Sequence, residues 1–309
     1  MTSLYQRLDH GISVVDTGFV RPRFDASFLI VENGRAAFVE TGPNSAVPRL
    51  LAALEAHGLE RDAVDYVIPT HVHLDHAGGA GLLMQELPRA RLVIHPRGAR
   101  HMIDPSVLME GVRAVYGEEV AARDYGELVP IPAQRVITTT DGMVIELSGR
   151  PLRFADTPGH ARHHHCIWDE ASRGWFTGDT FGIVYPELHP YIVPATAPVQ
   201  FDQQALHESV ARLLAQRPTF MYLTHYGAVR DAETLAVQYL AQVDAMAEAA
   251  RSLISAPGRH DRLRRAFGDI YIAELRRSGS TQSENFLRGL LETDIELNAQ
   301  GLGTWLDRK

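Results

Sequence analysis

Apolar residues along the chain follow two periods. In the first 70 residues, short apolar or β-branched runs at Gly11–Val15, Ala26–Val31 and Ala36–Glu40 predict strands. The Asn33-Gly34 pair between the last two is a hairpin turn signal. Val47, Leu50, Leu51 and Leu54 then recur at helical spacing, with Ser45 as the expected N-cap and Gly58 as the stop. Tyr66–Pro69 and Leu92–His95 read as buried strands, and Arg97 to about Asp124 reads as helix broken at Pro105-Ser106. Strands follow at Val136–Thr140, Met143–Leu147 and Leu152–Ala155, with a turn at Asp141-Gly142. Cys166–Asp169 and Trp175–Thr177 flank Ser172-Arg173-Gly174 as a hairpin. A connection containing Pro186, Pro190, Pro194 and Pro198 leads to a helix marked by Leu206, Val210, Leu213 and Leu214, and Thr219–Leu223 is the last expected strand.

From Asp231 onward only the helical period remains. Leu235, Tyr239, Val243, Met246, Ala250 and Leu253 form one stripe, Leu263, Phe267, Ile270 and Leu275 a second, and a third helix is expected from about Ser283 to Ala299. The order of elements predicts two mixed sheets between helical layers in residues 1–230. Residues 231–309 are expected to form a helical extension packed on that core or on a partner subunit, which makes a homodimer one expectation.

Composition narrows the classes of function. A length of 309 residues permits a domain of about 230 with an appendage. The formal charge of -8 offers no basic footprint for nucleic acid. Cys166 is the only cysteine, so an intramolecular disulfide and every multi-cysteine zinc site are excluded. No apolar run reaches the roughly 18 residues of a membrane span, and the first residues lack a signal-peptide run, so no membrane association and a cytoplasmic location are the expectations.

Candidate chemistry concentrates in His71-Val72-His73-Leu74-Asp75-His76, directly after a predicted strand. Along an extended loop His71 and His73 point the same way and can meet one ion. Asp75 and His76 are adjacent and diverge, which suits a second ion. Three further donors follow predicted strands: His160 in Thr157-Pro158-Gly159-His160, Asp179 in Gly178-Asp179-Thr180, and His225 after Thr224. Imidazole with carboxylate suits zinc, iron, manganese or nickel.

Taken together, these runs resemble the metallo-β-lactamase-fold superfamily, and within it the glyoxalase-II-like hydrolases. The resemblance covers the first strand to about Gly227, and the helical tail carries none of its motifs. It implies a four-layer αβ/βα sandwich of two mixed sheets flanked by helices. It also implies that His71, His73 and His160 hold one divalent ion, that Asp75, His76 and His225 hold a second, and that Asp179 bridges them. Zinc is the first expectation, with iron or manganese as alternatives. The reaction implied is hydrolysis of a small ester, thioester, lactone or related bond, with Asp75 orienting the nucleophile or passing a proton. Where the family usually has Asp-x-Gly this chain has Glu40-Thr41-Gly42, so Glu40 is expected to hold a ligand rather than to be one. His164, four residues after His160, is expected to do the same, and His163 and His165 are expected to face outward or be structural. Phe181, Tyr185 and Tyr226 lie beside ligand-bearing loops and are candidates for the pocket of a small-molecule substrate. An iron enzyme with one metal, resembling the persulfide dioxygenases, is the alternative. A diiron redox protein ranks lower because such proteins usually carry glutamate where this chain has His73, and a non-catalytic metal-binding protein ranks lower still. The motifs leave the substrate open.

Overall fold

Asn33 and Gly34 both take positive φ, 45° and 76°, and the strands they join pair from Glu32↔Arg35 to Phe28↔Val39. A two-residue turn of this twist matches the twist of its strands, which is why Asn-Gly is read as a hairpin. The structure is a computed structural model that describes residues 4–188, 191–196 and 200–308. Pro190 and Pro198 of the proline-rich connection, and the neighbouring His189, lie outside the described residues.

Contacts group the chain into two units, one of Met1–Asp156, His163–Gly178 and Thr219–Val229, the other of Thr157–Arg162, Asp179–Pro218 and Arg230–Lys309. The first unit contains both sheets. Its seven-stranded sheet runs in chain order: β1 (Tyr5–Arg7), β2 (Ile12–Asp16), β3 (Ala26–Glu32), β4 (Arg35–Val39), β5 (Val64–Ile68), β6 (Arg91–Ile94) and β7 (Val136–Thr138). Pairing is antiparallel as far as β4 and parallel beyond it. The six-stranded sheet comprises β8 (Val144–Leu147), β9 (Arg150–Asp156), β10 (His165–Asp169), β11 (Gly174–Gly178), β12 (Phe220–Leu223) and β13 (Gly227–Val229), in the order β13-β12-β11-β10-β9-β8. Only β11 and β12 pair in parallel. The short β1 and β13 carry no apolar alternation long enough to be read from the sequence.

Alternation along each strand places the core. Leu29, Phe38 and Val67 pack with Leu50 and Leu54 of α1 (Val47–Ala56), and with Ala80 and Leu83 of a later helix, Ala80–Glu86. Phe28, Ile30, Val39 and Ile68 point the other way, onto Phe154, Ile167, Phe176 and Tyr222 of the six-stranded sheet. Edge-on contacts of Phe28 with Phe176 and Tyr222, at centroid distances of 5.2 and 5.6 Å, join the sheets, each worth about 0.5–1.5 kcal/mol beyond area burial. With both faces covered, the central strands read as continuous apolar runs. The architecture is an αβ/βα sandwich of two mixed sheets flanked by helices.

One helix start differs from expectation. Ser45 does not cap α1; residues Asn44–Ala46 form a 3-10 turn, Ala46 N–H donates to Pro43 O at 2.9 Å, and Ala46 is the N-cap. Val47 N–H donates to Asn44 O and Pro48 has no N–H, so the tightened entry meets the first two positions of the helix without a serine cap. Further helices of this unit are α2 (Leu74–Ala77), α3 (Ala80–Glu86), α4 (Pro96–Ile103), α5 (Ser106–Tyr116) and α6 (Glu118–Asp124), the break between α4 and α5 falling at Pro105.

The second unit is built on α7 (Gln203–Leu214), α8 (Ala232–Ser252), α9 (Arg259–Arg277), α10 (Glu284–Leu290) and α11 (Glu292–Asp307). Ser283 caps α10 by accepting from Phe286 N–H, but the expected third helix is two, interrupted at Leu291 and continuing to Asp307. Among the described residues, no helix is long and apolar enough to cross a membrane.

Candidate metal centre

Strand β5 ends at Ile68, and Pro69-Thr70 delivers His71 and His73 on extended backbone before α2 begins. His71 Nε2 lies 2.8 Å from His73 Nδ1, as same-side projection from alternate residues requires. Asp75 and His76 ride on α2. Asp75 Oδ2 stands 3.7 Å from His76 Nε2 and 3.5 Å from His225 Nε2, so these three residues form a cluster that could hold a metal ion.

Glu40 ties the loops of this cluster together. It sits just past β4 at φ 66°, fully buried, with its backbone carbonyl accepting from Ser27 Oγ at 2.7 Å. Its Oε1 accepts from Thr70 Oγ1 at 2.5 Å, His76 Nδ1 at 3.0 Å and Thr224 Oγ1 at 3.1 Å. Its Oε2 accepts from Thr70 N–H at 3.0 Å. One carboxylate thereby fixes the segments that carry His71, His76 and His225.

The acceptors beside the rings set their tautomers. A carboxylate and a carbonyl can only accept. His76 Nδ1 therefore carries its proton toward Glu40, and His225 Nδ1 donates to Phe24 O at 2.8 Å. The Thr70 hydroxyl gives its proton to Glu40, so it accepts from His71 Nδ1 at 3.1 Å. All three rings are left with a lone pair on Nε2, the arrangement in which an outer acceptor orients a metal-binding imidazole.

In the second unit, His160 follows the same rule. Its Nδ1 donates to Ala195 O at 2.9 Å, and its Nε2 lies 3.4 Å from Asp179 Oδ2. The preceding Gly159 has φ 137°, and a Cβ there would stand 2.5 Å from Leu206 Cα, which accounts for the glycine of Thr157-Pro158-Gly159-His160. Gly178, before Asp179, is at φ 48° and lies against Thr70 and His164 of its own unit; a Cβ would stand 2.6 Å from His164 Nε2.

His163 and His165 are buried, which removes the outward-facing alternative for both. The His163 ring stacks 6.0 Å from His71 and meets His73 edge-on at 5.6 Å, while His164 stacks 4.9 Å from His71. Because His163 packs against two ligand candidates, His163→Ala is expected to weaken metal binding within the roughly 10–100-fold range of outer partners. His73→Ala, which removes a candidate ligand itself, is expected to abolish binding of an ion there; competition with a chromophoric chelator distinguishes the two, and equal losses would contradict the difference in role.

His165 is held by Thr139 Oγ1 at 2.9 Å and Pro69 O at 3.0 Å. Burial, reinforced by His95, pushes its imidazole down to about 3. A folded-state value below the unfolded one, near 6.5, means the stability it contributes is present above about pH 6.5 and falls as pH drops toward 3. His165→Gln, which cannot titrate, should lose less stability between pH 7 and 5 than the wild type in urea unfolding. Identical losses would refute this source of acid sensitivity.

Of the pocket candidates, Phe181 and Tyr185 are fully buried, and the Tyr185 hydroxyl donates to Asp294 Oδ1 at 3.1 Å. Tyr226 is half-buried with the Arg23 guanidinium 5.8 Å over its ring, and burial pushes its hydroxyl up to about 12. Sequence reading passed over Asp25, wholly buried and bonded to Thr17 Oγ1 at 2.9 Å. Burial raises its carboxyl to about 7 against the opposing pull of His225 and His76. It also passed over the carbonyls of Phe24 and Ala195, which no side-chain pattern encodes. Thr70 and Thr224 could have been found: each stands directly before a candidate ligand histidine, and each donates to Glu40.

The chain is similar in sequence and in fold to known proteins. The chain is 28% identical over 172 residues to a metallo-beta-lactamase fold-containing protein of Sulfurisphaera tokodaii, covering 54% of this chain and 62% of that one. It is 30% identical over 155 residues to an atrochrysone carboxyl ACP thioesterase of Aspergillus fumigatus, covering 50% of this chain and 39% of that one. The match therefore spans about two fifths to three fifths of these relatives' lengths. The crystal structure of an archaeal metallo-beta-lactamase superfamily protein from Sulfolobus tokodaii superposes with a TM-score of 0.65 at 20% identity, over 96% of this chain and 99% of that one, a likeness of fold. The sequence profile described as the metallo-beta-lactamase superfamily matches residues 20–225, which include His71 to His76, His160, Asp179 and His225, and the chain belongs to that superfamily.

Proposed function

We propose that this chain is a binuclear metal-dependent hydrolase of the glyoxalase-II-like branch, cleaving a small thioester, ester or lactone. The observation that carries this reading is the tautomer set: His71, His76, His160 and His225 each commit Nδ1–H to a fixed acceptor and keep Nε2 as a donor atom. Such a set of neutral imidazoles with the carboxylates Asp75 and Asp179 fits a pair of divalent ions, zinc first and iron or manganese as alternatives. In this reading His71, His73 and His160 hold one ion, Asp75, His76 and His225 the other, and Asp179 is shared. When bound, the ions supply a water of lowered pKa as nucleophile and polarise the scissile carbonyl.

The protein's own contribution is orientation. Glu40 and the Phe24 and Ala195 carbonyls prevent the ligand rings from turning. Asp75 is partly exposed, with a side-chain exposure of 24%, so it can accept a proton and pass it to the leaving group. Tyr226, half-buried and neutral at physiological pH, borders the His225 ligand and can donate to a substrate oxygen. A thioester is favoured among the candidate bonds because a relative over half of this chain is named a thioesterase.

The test is turnover of thioesters, lactones and phosphodiesters by chelator-stripped and metal-reloaded protein in 18O-labelled water. Metal-dependent release of a labelled carboxylate is expected. Oxygen consumption with a persulfide and no hydrolysis would overturn the proposal in favour of the one-iron alternative.

A further inference from the structure

The acceptor that fixes His160 is a backbone carbonyl in an irregular segment, and something must hold that carbonyl still. Pro194 and Thr196, on either side of Ala195, are both bonded to one side chain, Asn298 of α11. Asn298 Nδ2 donates to Pro194 O at 2.8 Å, while Asn298 Oδ1 accepts from Thr196 N–H and Thr196 Oγ1, each at 2.6 Å. The second Nδ2 proton goes to the Tyr271 hydroxyl on α9 at 2.7 Å. Asn298 is buried and all four of its hydrogen-bonding positions are used, so its orientation is fixed.

From this geometry we infer that Asn298 is a positioning residue for His160. It clamps residues 194 and 196, the clamp sets the direction of the Ala195 carbonyl, and that carbonyl holds His160 Nδ1–H and thus aims Nε2. The helical extension, which carries none of the family motifs, thereby takes part in building the metal site. A hydrophobic residue could fill the same volume between α9 and the 194–196 segment; a fully satisfied amide is instead what a defined carbonyl direction requires.

The inference rests on the proposed ligand role of His160, and its test separates the two. Asn298→Asp keeps the shape and removes the donor to Pro194; Asn298→Ser is the milder variant should the first fail to fold. Two quantities are read: the affinities of the two zinc ions by chelator competition, and the His160 Nδ1–H signal in imidazole 1H–15N spectra of the metal-free protein. The expected result is a roughly tenfold or greater loss for one zinc ion, no change for the other, and a shifted or faster-exchanging His160 signal beside unmoved His76 and His225 signals. Unchanged affinities with an unmoved His160 signal would overturn the inference. So would an equal loss at both ions, since that is general loosening. A wild-type protein that takes up no zinc would refute the metal reading, while the imidazole signal would still decide whether Asn298 fixes His160.

Discussion

Glu40→Ala is expected to release the metals and destabilise the metal-free fold together. The substitution leaves Thr70 N–H, Thr70 Oγ1, His76 Nδ1 and Thr224 Oγ1 without their acceptor in a fully buried place. Each stranded donor costs about 1–3 kcal/mol, so a loss of about 3 kcal/mol or more is expected even after local relaxation. His76 would be free to turn or change tautomer, and His71 would lose the fixed hydroxyl behind it. Metal affinity should therefore fall beyond the roughly 10–100-fold effect of a single outer partner. Glu40→Gln separates shape from charge: it fills the same space, but its amide cannot accept from all four donors, so it should fall between alanine and the wild type. Chelator competition and urea unfolding of the metal-free protein measure both effects. Wild-type affinity in Glu40→Ala would show that Glu40 does not hold the ligands.

Asp179→Ala carries the second large expected effect. As the proposed shared ligand, Asp179 serves both ions, and its Oδ2 also stands 3.4 Å from His160 Nε2. Its removal should lower metal content and abolish hydrolysis, with a loss larger than any outer-partner change produces. His73→Ala should also abolish activity, but by emptying one site while the Asp75, His76 and His225 cluster keeps its ion. Elemental analysis of the two variants shows the difference. Full activity in Asp179→Ala would refute the bridging role.

Much of the fold was legible because its strands are buried on both faces and its turns use residues with one conformational purpose. Asn33-Gly34 placed a hairpin correctly, and Pro105 placed the break between α4 and α5. The three-residue β1 and β13 were not legible because Tyr5-Gln6-Arg7 and Gly227-Ala228-Val229 lack the β-branched run that marks the equally short β7, Val136-Ile137-Thr138. Ser45 misled because it lies inside the 3-10 turn before α1, where the first helical N–H, that of Val47, already finds Asn44 O as its acceptor. At the site, His71 to His76 announced itself by spacing. What holds the candidate ligands did not, since it lies in two backbone carbonyls, in threonines that precede histidines, and in an asparagine more than 130 residues from the histidine it is proposed to position. These contacts exist only once the chain is folded.

The most direct test of the metal reading is the metal content of protein purified without added metal, determined by elemental analysis alongside protein concentration from amino-acid analysis. Two equivalents of divalent metal per chain, falling to about one in His73→Ala, is the predicted result. A single equivalent of iron with oxygen uptake, or hydrolysis that persists in protein free of metal, would contradict it.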